Sequence, residues 1–234
     1  MFKVFVNGSS GKVGTSLSEI INKKNSLYIK NKDISSADVA IDFSHPDSTI
    51  TILQQCCINK IPLIIGTTGL KENILNEIKK ASELIPIVLA SNMSIGIYQL
   101  KINLEKYLQS IKNETTCVIE ETHHAKKIDK PSGTAIEINL LIKALDKKDN
   151  ISSIETVSIR KGDIFGIHKI SFQNTENSCV FTHRTLSRDV YANGALHCVE
   201  KISNKSPGLY NFEDVINWDN SLKTSTFSIE YQHF

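Results

Sequence analysis

Short apolar runs alternate with amphipathic segments through the N-terminal part of the chain. The amphipathic segments repeat apolar residues every three or four positions, which is typical of helices that bury one face. Strand followed by helix, repeated along a chain, predicts a parallel sheet with right-handed crossovers. The predicted strands are Phe2–Val6, Leu27–Ile29, Val39–Phe43, Leu63–Ile65 and Ile85–Ala90, and helices are predicted at Asp47–Cys57 and Lys71–Leu84.

The pattern changes after Ser94. Helical periodicity covers residues 96–111 and 134–145, and the predicted strands now follow one another. Consecutive strands predict an antiparallel or mixed sheet, and hence a second domain of α+β type. These strands are Thr116–Glu121, Thr156–Arg160, His168–Phe172 and Cys179–Arg184.

The C-terminal part of the chain is less regular. A helix is predicted over residues 193–202, a turn at Pro207–Tyr210 and a short helical turn at Phe212–Val215. Residues 220–234 alternate weakly and contain many serines and threonines, a pattern that fits either an added edge strand or disorder.

Composition narrows the class of protein. The chain has 234 residues, 40% hydrophobic and 22% charged, with a formal net charge of +2, so nucleic acid and anionic membranes are not expected as partners. Its first residues read as a strand and a turn, and no apolar run reaches membrane-spanning length, so a cytoplasmic protein is expected. The five cysteines form no C-x-x-C pair, so neither disulfides nor a metal site is predicted.

A glycine-spaced loop follows the first predicted strand. Gly8, Gly11 and Gly14 have the spacing G-x-x-G-x-x-G and precede a predicted helix. A pyrophosphate needs backbone N–H donors at a helix N-terminus and no side chain in its way, and this loop supplies both. The loop therefore predicts dinucleotide binding, although a glycine-rich turn without a catalytic role would have the same sequence.

The choice of dinucleotide stays open. An acidic residue after the second strand would favour a ribose 2′-hydroxyl and a lysine would favour a 2′-phosphate, but Lys30, Lys32 and Asp33 are all near that point. The cofactor is therefore NADH or NADPH. A second loop, Gly66–Gly69, could let the chain pass close to a flat ring, or could be an ordinary strand-to-helix turn.

The segment from Glu120 to Ala135 is the most unusual in the chain. Two histidines and three lysines fall within eight residues, 123–130. Thr134-x-x-Glu137 is predicted to form a capping box at the start of a helix, whose first amides would favour a carboxylate. Because a histidine exchanges protons near neutral pH, the segment could hold a dianionic substrate and protonate it. A solvated basic loop is the alternative, and no spacing supports a metal site at the His-His pair.

Taken together, these segments resemble the 4-hydroxy-tetrahydrodipicolinate reductase (dihydrodipicolinate reductase) family. Residues 121–135 are similar to the family pattern E-x-H-H-x-x-K-x-D-x-P-S-G-T-A, and the match extends from Val4 to about Val215. Further similar segments occur in the family order: Gly8–Gly14, Asp42–Ser44, Gly66–Gly69, Ala90–Gly96 and Ala192–Ala195.

The resemblance implies the fold, the assembly and the reaction. It implies a Rossmann-like parallel-sheet dinucleotide domain (residues 1–93 and 190–234), to which the last helix returns, and an α+β substrate and tetramerisation domain with a mixed sheet (94–189). The family is homotetrameric. Its enzymes transfer a hydride from NAD(P)H to C4 of a cyclic, unsaturated dicarboxylate, with loss of water.

The resemblance also implies roles for single residues. His123 is the proton donor or acceptor and Lys127 is a second donor. The two carboxylates are held by His124, Lys127, Ser132, Gly133 and Thr134. The pyrophosphate is held by Gly8, Ser9, Ser10, Gly11, Lys12 and Val13. The ribose and nicotinamide are contacted by Gly66, Thr67, Thr68, Ala90, Ser91, Asn92 and Met93.

The chain departs from the family pattern in a few places. The region from residue 26 to 38 is shorter than is typical for the family, so the second crossover helix and strand are expected to be trimmed or lost. His45 stands where an arginine near the adenine is common, Ala125 and Lys126 replace residues that are often basic, and the tail beyond Asp219 has no counterpart. Two alternatives stay open: a related dehydrogenase acting on an imine, and a cofactor-binding sensor without turnover.

Overall fold

Ten strands and seven helices are formed by residues 1–217, the part of the chain that the computed structural model describes. The tail 220–234, for which an edge strand or disorder is predicted, lies outside the described residues. The strands are β1 (Phe2–Asn7), β2 (Tyr28–Asn31), β3 (Val39–Asp42), β4 (Leu63–Ile65), β5 (Pro86–Leu89), β6 (Thr115–His123), β7 (Ile151–Arg160), β8 (Gly166–Gln173), β9 (Ser178–Thr185) and β10 (Gly208–Tyr210). The helices are α1 (Lys12–Lys23), α2 (Pro46–Asn59), α3 (Glu72–Ala81), α4 (Ile95–Ser110), α5 (Gly133–Leu145), α6 (Asp189–Ile202) and α7 (Phe212–Asn217).

The described chain divides into two units. The first contains residues 1–94 and 188–217, and its six strands lie in the order β10-β5-β4-β3-β1-β2, all parallel. Strands β3 and β4 are buried along their whole length, because helices cover both faces of a parallel sheet of this kind. Side chains of α2 and α3, such as Leu53 and Ile78, pack against Leu63 and Ile65 of β4. The predicted Rossmann-like sheet is confirmed.

One local prediction in this unit holds and another is wrong. As expected, residues 26–38 are trimmed: a short strand, β2, remains and pairs with β1, and a single 3₁₀ turn at Ile34–Ser36 takes the place of the crossover helix. Pro207–Tyr210 is not only a turn: Gly208–Tyr210 forms β10 and pairs with β5 at the sheet edge. A three-residue strand containing glycine is too short to produce an alternating pattern that sequence reasoning can detect.

The second unit, residues 95–187, has a mixed four-stranded sheet in the order β7-β6-β8-β9. Strand β6 is parallel to β7 and antiparallel to β8, as the prediction of a mixed sheet requires. Helices α4 and α5 cover one face, where Leu104, Ile138, Ile119 and Phe172 belong to one buried cluster. The opposite face carries no helix of this unit within the described residues, and side chains such as Val118 lie there only half buried.

Three further findings bear on the class of protein. Among residues 1–217, no helix combines the length and the apolar character that crossing a membrane requires. The five cysteines are free thiols, four of them buried. Within the same residues, no group of three or more histidine, cysteine, aspartate or glutamate side chains is arranged to hold a metal ion.

Candidate active site

The β1–α1 loop is shaped by glycines that tolerate no side chain. Gly8 has a positive φ of 79°, and a Cβ atom there would overlap the carbonyl oxygen of Phe43. A Cβ atom on Gly14 would overlap the carbonyl oxygen of Gly8, which also accepts a hydrogen bond of 2.9 Å from the Gly11 amide. This close packing of the loop brings the first residues of α1 next to the carboxyl end of β1.

The start of α1 suits an anion. Gly11 is the N-cap residue, and within the described chain no side chain caps this helix and no acidic residue lies in its first turn. The first amides of a helix have no intrahelical partner and carry part of the positive end of the helix dipole. Lys12 is exposed at the same point. The residues predicted to hold a pyrophosphate, from Gly8 to Val13, thus fit that group through their main chain.

A buried carboxylate holds the ends of three strands together. Asp42, at the end of β3, is fully buried and accepts hydrogen bonds from Asn7 (2.8 Å), Thr49 (2.6 Å), Thr67 (2.9 Å) and Ser44. The Thr67 hydroxyl also accepts a hydrogen bond from the Ser44 amide, at 2.9 Å. Of the two threonines predicted to contact the cofactor, Thr67 therefore uses its hydroxyl inside the protein.

The neighbouring Gly66 and Thr68 differ from Thr67. A Cβ atom on Gly66 would overlap the ring of Phe43, so this position requires glycine for packing. Thr68 is exposed. For a ligand at this loop, the structure offers the main chain of Gly66 and Thr67 together with the side chain of Thr68.

The loop after β5 is fixed by α6. Met93 is buried, and a Cβ atom on Gly194 of α6 would overlap the Met93 carbonyl oxygen. The Asn92 side chain accepts a hydrogen bond of 2.8 Å from the Ser94 amide and so shapes the turn. The predicted cofactor residues Ala90–Met93 therefore lie in a loop packed closely against α6 at the carboxyl edge of the parallel sheet, where ligands bind in such folds.

The carboxylate that follows β2, that of Asp33, is already engaged in local hydrogen bonds. Asp33 accepts hydrogen bonds from the Ser35 amide (3.0 Å) and the Ser35 hydroxyl (2.8 Å), which lower the pKa of its carboxyl group and cap the 3₁₀ turn. Lys30 donates to the Ser18 hydroxyl at 2.9 Å, whereas Lys32 is exposed.

In the second unit, His123 occupies the last position of β6. It is 8% exposed, and its Nδ1 is hydrogen bonded to a carboxylate oxygen of Glu121, which is fully buried two residues earlier on the same face of the sheet. Arg160, the register partner of His123 on β7, donates to both oxygens of Glu121 at 2.8 and 2.9 Å. The Ser132 amide donates a further hydrogen bond, at 3.3 Å, to Glu121 Oε1.

These contacts decide the charge state of the pair. Burial alone would raise the pKa of Glu121, but hydrogen bonds from Arg160, Ser158 and His123 outweigh burial and lower it. Burial lowers the pKa of His123, and the carboxylate of Glu121 only partly opposes that effect. The resting state at neutral pH is therefore an ionised Glu121 beside a neutral His123.

The basic loop after β6 is held from two sides. Lys127 forms an ion pair of 2.8 Å with Asp129, and its carbonyl oxygen accepts a hydrogen bond of 3.3 Å from Arg160. Arg160 also donates to the Asp129 carbonyl oxygen. The same guanidinium thus supports Glu121 inside the unit and the loop that carries Lys127, while the Lys127 side chain remains half exposed.

The predicted capping box at Thr134 is wrong. Helix α5 begins at Gly133, and its N-cap is Ser132, whose hydroxyl accepts a hydrogen bond of 3.3 Å from the Ala135 amide. Thr134 is already the second helical residue, and Glu137 pairs with Lys101 of α4 at 2.9 Å. Sequence reasoning placed the cap two residues late because Ser132 and Thr134 are both good capping residues.

His168 of β8 joins the site, although sequence reasoning did not select it. Its ring lies edge-on to that of His123 with centroids 5.3 Å apart, and its Nε2 lies 3.4 Å from the Ser132 hydroxyl. Burial lowers the pKa of His168 to about 3, so the ring is neutral. Arg160 was also missed, because both residues come from strands distant in sequence from the motif and neither has a distinctive local pattern.

The structure brings the predicted substrate residues into one region of the second unit. His123 ends β6, His124 and Lys127 lie in the following loop, and Ser132 to Thr134 open α5. A basic loop, a helix N-terminus and a buried histidine that can exchange a proton suit a small dicarboxylate that is protonated during reaction. Their individual roles stay predictions.

A parallel-sheet unit with a glycine loop and a second unit with this proton-exchanging site define a dinucleotide-dependent reductase. Family models described as dihydrodipicolinate reductase, N-terminus, and dihydrodipicolinate reductase, C-terminus, match residues 29–93 and 96–216. The chain belongs to the dihydrodipicolinate reductase family. The predicted family, fold class and assignment to the oxidoreductases are thereby confirmed.

Individual relatives agree with the family models. The chain is 35% identical to 4-hydroxy-tetrahydrodipicolinate reductase of Bdellovibrio bacteriovorus over 225 residues, covering 92% of this chain and 96% of the relative. It is 33% identical to the same enzyme of Clostridium novyi over 253 residues, covering 94% and 100%. A dipicolinate-bound dihydrodipicolinate reductase from Paenisporosarcina sp. TG-14 shares the fold, with a TM-score of 0.71 at 19% identity over 91% of this chain and 98% of that one.

Proposed function

We propose that the chain catalyses the reduction of 4-hydroxy-2,3,4,5-tetrahydrodipicolinate to 2,3,4,5-tetrahydrodipicolinate, with loss of water, in the diaminopimelate pathway of lysine biosynthesis. The observation that carries this proposal is the buried pair of Glu121 and His123 beside the basic loop and the N-terminus of α5. That arrangement combines a proton donor with groups that bind carboxylates, within a chain of this family.

The two units divide the work. We assign dinucleotide binding to residues 1–93 and 190–234, and substrate binding and oligomerisation to residues 94–189. In the first domain, Gly8 to Val13 bind the pyrophosphate through main-chain amides, and Gly66–Thr68 with Ala90–Met93 contact the ribose and nicotinamide. When bound, the reduced nicotinamide supplies the hydride for C4 of the substrate.

The second domain binds the substrate. Lys127 and His124 supply positive charge or N–H donors, and Ser132 with the amides of Gly133 and Thr134 supply donors at the start of α5. Because both substrate carboxylates are anionic at neutral pH, a lysine placed beside them keeps its charge. The ion pair with Asp129 supports this assignment, because it shows that the Lys127 amine can bind a carboxylate. A substrate carboxylate would replace Asp129 as its partner.

His123 supplies the proton. The reaction consumes one hydride and one proton and releases one water, so one proton must reach the substrate from the protein or solvent. Because Nδ1 is occupied by Glu121, the exchange takes place at Nε2: the neutral ring first takes up a proton there from solvent, and the imidazolium so formed gives that proton to the substrate and returns to the neutral state. Lys127 is the second donor and also stabilises negative charge that develops on the substrate.

We propose that both NADH and NADPH are accepted. The only acidic residue between positions 28 and 36 is Asp33, and its carboxylate already accepts two hydrogen bonds from Ser35. The exposed Lys32 offers a positive charge to a 2′-phosphate. A site without a dedicated ribose carboxylate and with an exposed lysine has little basis for rejecting either nucleotide.

We further propose a cytoplasmic homotetramer assembled through the mixed sheet. Within the described residues, helices of the second unit cover one face of that sheet, and half-buried apolar side chains lie on the other. They include Val118, Val157, Ile159, Ile167 and Val180. Multi-angle light scattering on the purified chain tests the assembly: a monomer at micromolar concentration would contradict it.

Turnover tests the proposed reaction. The chain is mixed with enzymatically generated substrate and either NADH or NADPH, and nicotinamide absorbance is followed. We expect oxidation of both cofactors. If neither NADH nor NADPH were oxidised, the proposed reaction would be contradicted, and if only one were oxidised, the proposed acceptance of both would be.

A variant pair tests the substrate site. Lys127→Ala is expected to lower kcat/KM by about 10- to 100-fold, the usual effect of losing one charged hydrogen bond, with changes in both kcat and KM. The matched control is Lys126→Ala, which removes an exposed neighbouring lysine and is expected to behave like the parent.

A further inference from the structure

Glu121 is a buried carboxylate whose acceptor capacity is fully used. Its Oε1 accepts from Arg160 Nη2 at 2.8 Å and from the Ser132 amide at 3.3 Å. Its Oε2 accepts a hydrogen bond from Arg160 Nη1 at 2.9 Å and is also hydrogen bonded to His123 Nδ1. An isolated charge in this position would be energetically costly, but Arg160, Ser158, His123 and the Ser132 amide all form hydrogen bonds to this carboxylate and keep it ionised.

We propose that Glu121, held by Arg160, is a positioning residue for His123: it keeps a proton on Nδ1 and makes Nε2 the atom that exchanges a proton with the substrate. This inference rests on the proposed role of His123. It follows from donor and acceptor types, because an ionised carboxylate can only accept and an arginine or a backbone amide can only donate. Because Nδ1 lies in hydrogen-bond contact with Oε2, which can only accept, Nδ1 must carry the proton, and this leaves Nε2 with the lone pair in the neutral ring.

The surroundings of Nε2 fit this assignment. Gly166, the first residue of β8, lies against the ring, and a Cβ atom there would lie 3.1 Å from His123 Nε2. That distance is tighter than an ordinary van der Waals contact, so any side chain at position 166 would crowd the exchanging atom. Glycine at this point keeps Nε2 accessible while Nδ1 is anchored on the opposite side of the ring.

The charges around His123 make Glu121 important for more than orientation. Burial lowers the pKa of His123, and Arg160 of β7 and Lys127 of the basic loop lower it further. The neighbouring His168 of β8 is neutral and does not favour the imidazolium. Glu121 of β6 is the group that raises the pKa of His123, so its loss should make the ring harder to protonate.

The variant Glu121→Gln separates positioning from simple stability. A glutamine oxygen can still accept from Arg160 and Ser132, but its amide N–H groups then face Nδ1 and require that atom to accept. We expect ¹⁵N chemical shifts of histidine-labelled protein, recorded without substrate, to show His123 changing from the Nδ1–H to the Nε2–H tautomer. We also expect kcat to fall on the order of 10²-fold, as for loss of a general acid, with the dinucleotide Kd unchanged.

The pH profile gives a second readout. Where kcat depends on a protonated His123, the loss of activity with rising pH should move to lower pH in Glu121→Gln than in the parent. The matched control is Glu114→Gln, an exposed glutamate in the loop before β6, which should leave the tautomer, kcat and the profile unchanged.

A second variant leaves the buried ion pair of Glu121 and Arg160 unchanged. Gly166→Ala leaves Glu121 and Arg160 in place, so it should fold even if Glu121→Gln does not. We expect it to keep the Nδ1–H tautomer and to lower kcat about tenfold or more, with a smaller change in KM, because the methyl group crowds Nε2.

The outcomes are distinguishable. An unchanged tautomer in Glu121→Gln, together with kcat within about twofold of Glu114→Gln, would overturn the positioning role. Full activity of Gly166→Ala would overturn Nε2 as the exchanging atom. If the parent shows no turnover but its His123 changes tautomer in Glu121→Gln, then positioning stands and the proposed reaction is the part that fails.

Discussion

The two units prepare for negatively charged groups by opposite means. At the β1–α1 loop the first unit uses main-chain amides, an uncapped helix start and glycines that leave no room for a side chain. At the end of β6 the second unit uses charged and titratable side chains, several of them buried, around the carboxylate of Glu121. The first site is defined by steric limits and the second by charge and hydrogen bonding.

This difference predicts how each site fails. A substitution in the glycine loop changes the path of the main chain, so stability and dinucleotide binding should be lost together. A substitution at the end of β6 removes one functional group from a site whose strand is held by its neighbours, so chemistry should be lost while dinucleotide binding persists. Four predictions test this contrast, from the largest expected effect to the smallest.

His123→Ala should have the largest effect. Loss of a general acid or base lowers kcat by about 10²- to 10⁴-fold, and because His123 lies in the second unit, the dinucleotide Kd should change less than about twofold. Steady-state absorbance measures kcat and dinucleotide fluorescence measures binding, with Lys126→Ala as the control. If dinucleotide binding were lost together with kcat, the proposed difference between the two sites would be wrong.

Gly8→Ala should cost about 3 kcal/mol of stability, from left-handed backbone strain and overlap with the Phe43 carbonyl oxygen. Gly69→Ala is the matched control: Gly69 also has a positive φ, of 75°, but a Cβ atom there meets nothing within 4 Å. It should cost about 1 kcal/mol from strain alone. Urea unfolding measures both variants, and equal losses would show that close packing at Gly8 is unimportant.

Stability should fall as the pH is lowered, because of His168. Its pKa is about 3 in the folded chain and its Nδ1 has no hydrogen-bond partner among the described residues, so the unfolded chain binds a proton first. The stabilisation is present above the unfolded pKa of about 6.5 and is lost as the pH falls toward the folded value, by about 3 kcal/mol at pH ~4. Urea unfolding of His168→Gln should show a flatter pH dependence; an unchanged slope would remove His168 as its source.

Thr67→Val should have the smallest effect. It removes a hydroxyl that bonds to the buried Asp42 and accepts from Ser44, at a cost of about 1–2 kcal/mol. Thr68→Val is the control, because Thr68 is exposed and its replacement should leave stability unchanged. If Thr67→Val also leaves the free energy of unfolding unchanged, the buried network does not hold the strand ends together.

The same contrast explains what sequence reasoning could reach. The glycine loop, the strand–helix alternation and the basic segment from His123 to Thr134 are local patterns, so they could be predicted from spacing alone. Arg160 and His168 could not, because they reach Glu121, Ser132 and His123 only after β7 and β8 pair with β6. The strand β10 and the 3₁₀ turn at Ile34–Ser36 were missed because each is too short to show a period.

The most direct test of the proposed reaction follows the hydride itself. The chain is supplied with enzymatically generated 4-hydroxy-tetrahydrodipicolinate and a reduced nicotinamide dinucleotide carrying deuterium at its transferable position, and the product is examined by mass spectrometry and NMR. We expect one dinucleotide to be oxidised for each tetrahydrodipicolinate formed, with deuterium at C4. Oxidation without that label at C4, or no oxidation with either dinucleotide, would contradict the proposed reaction.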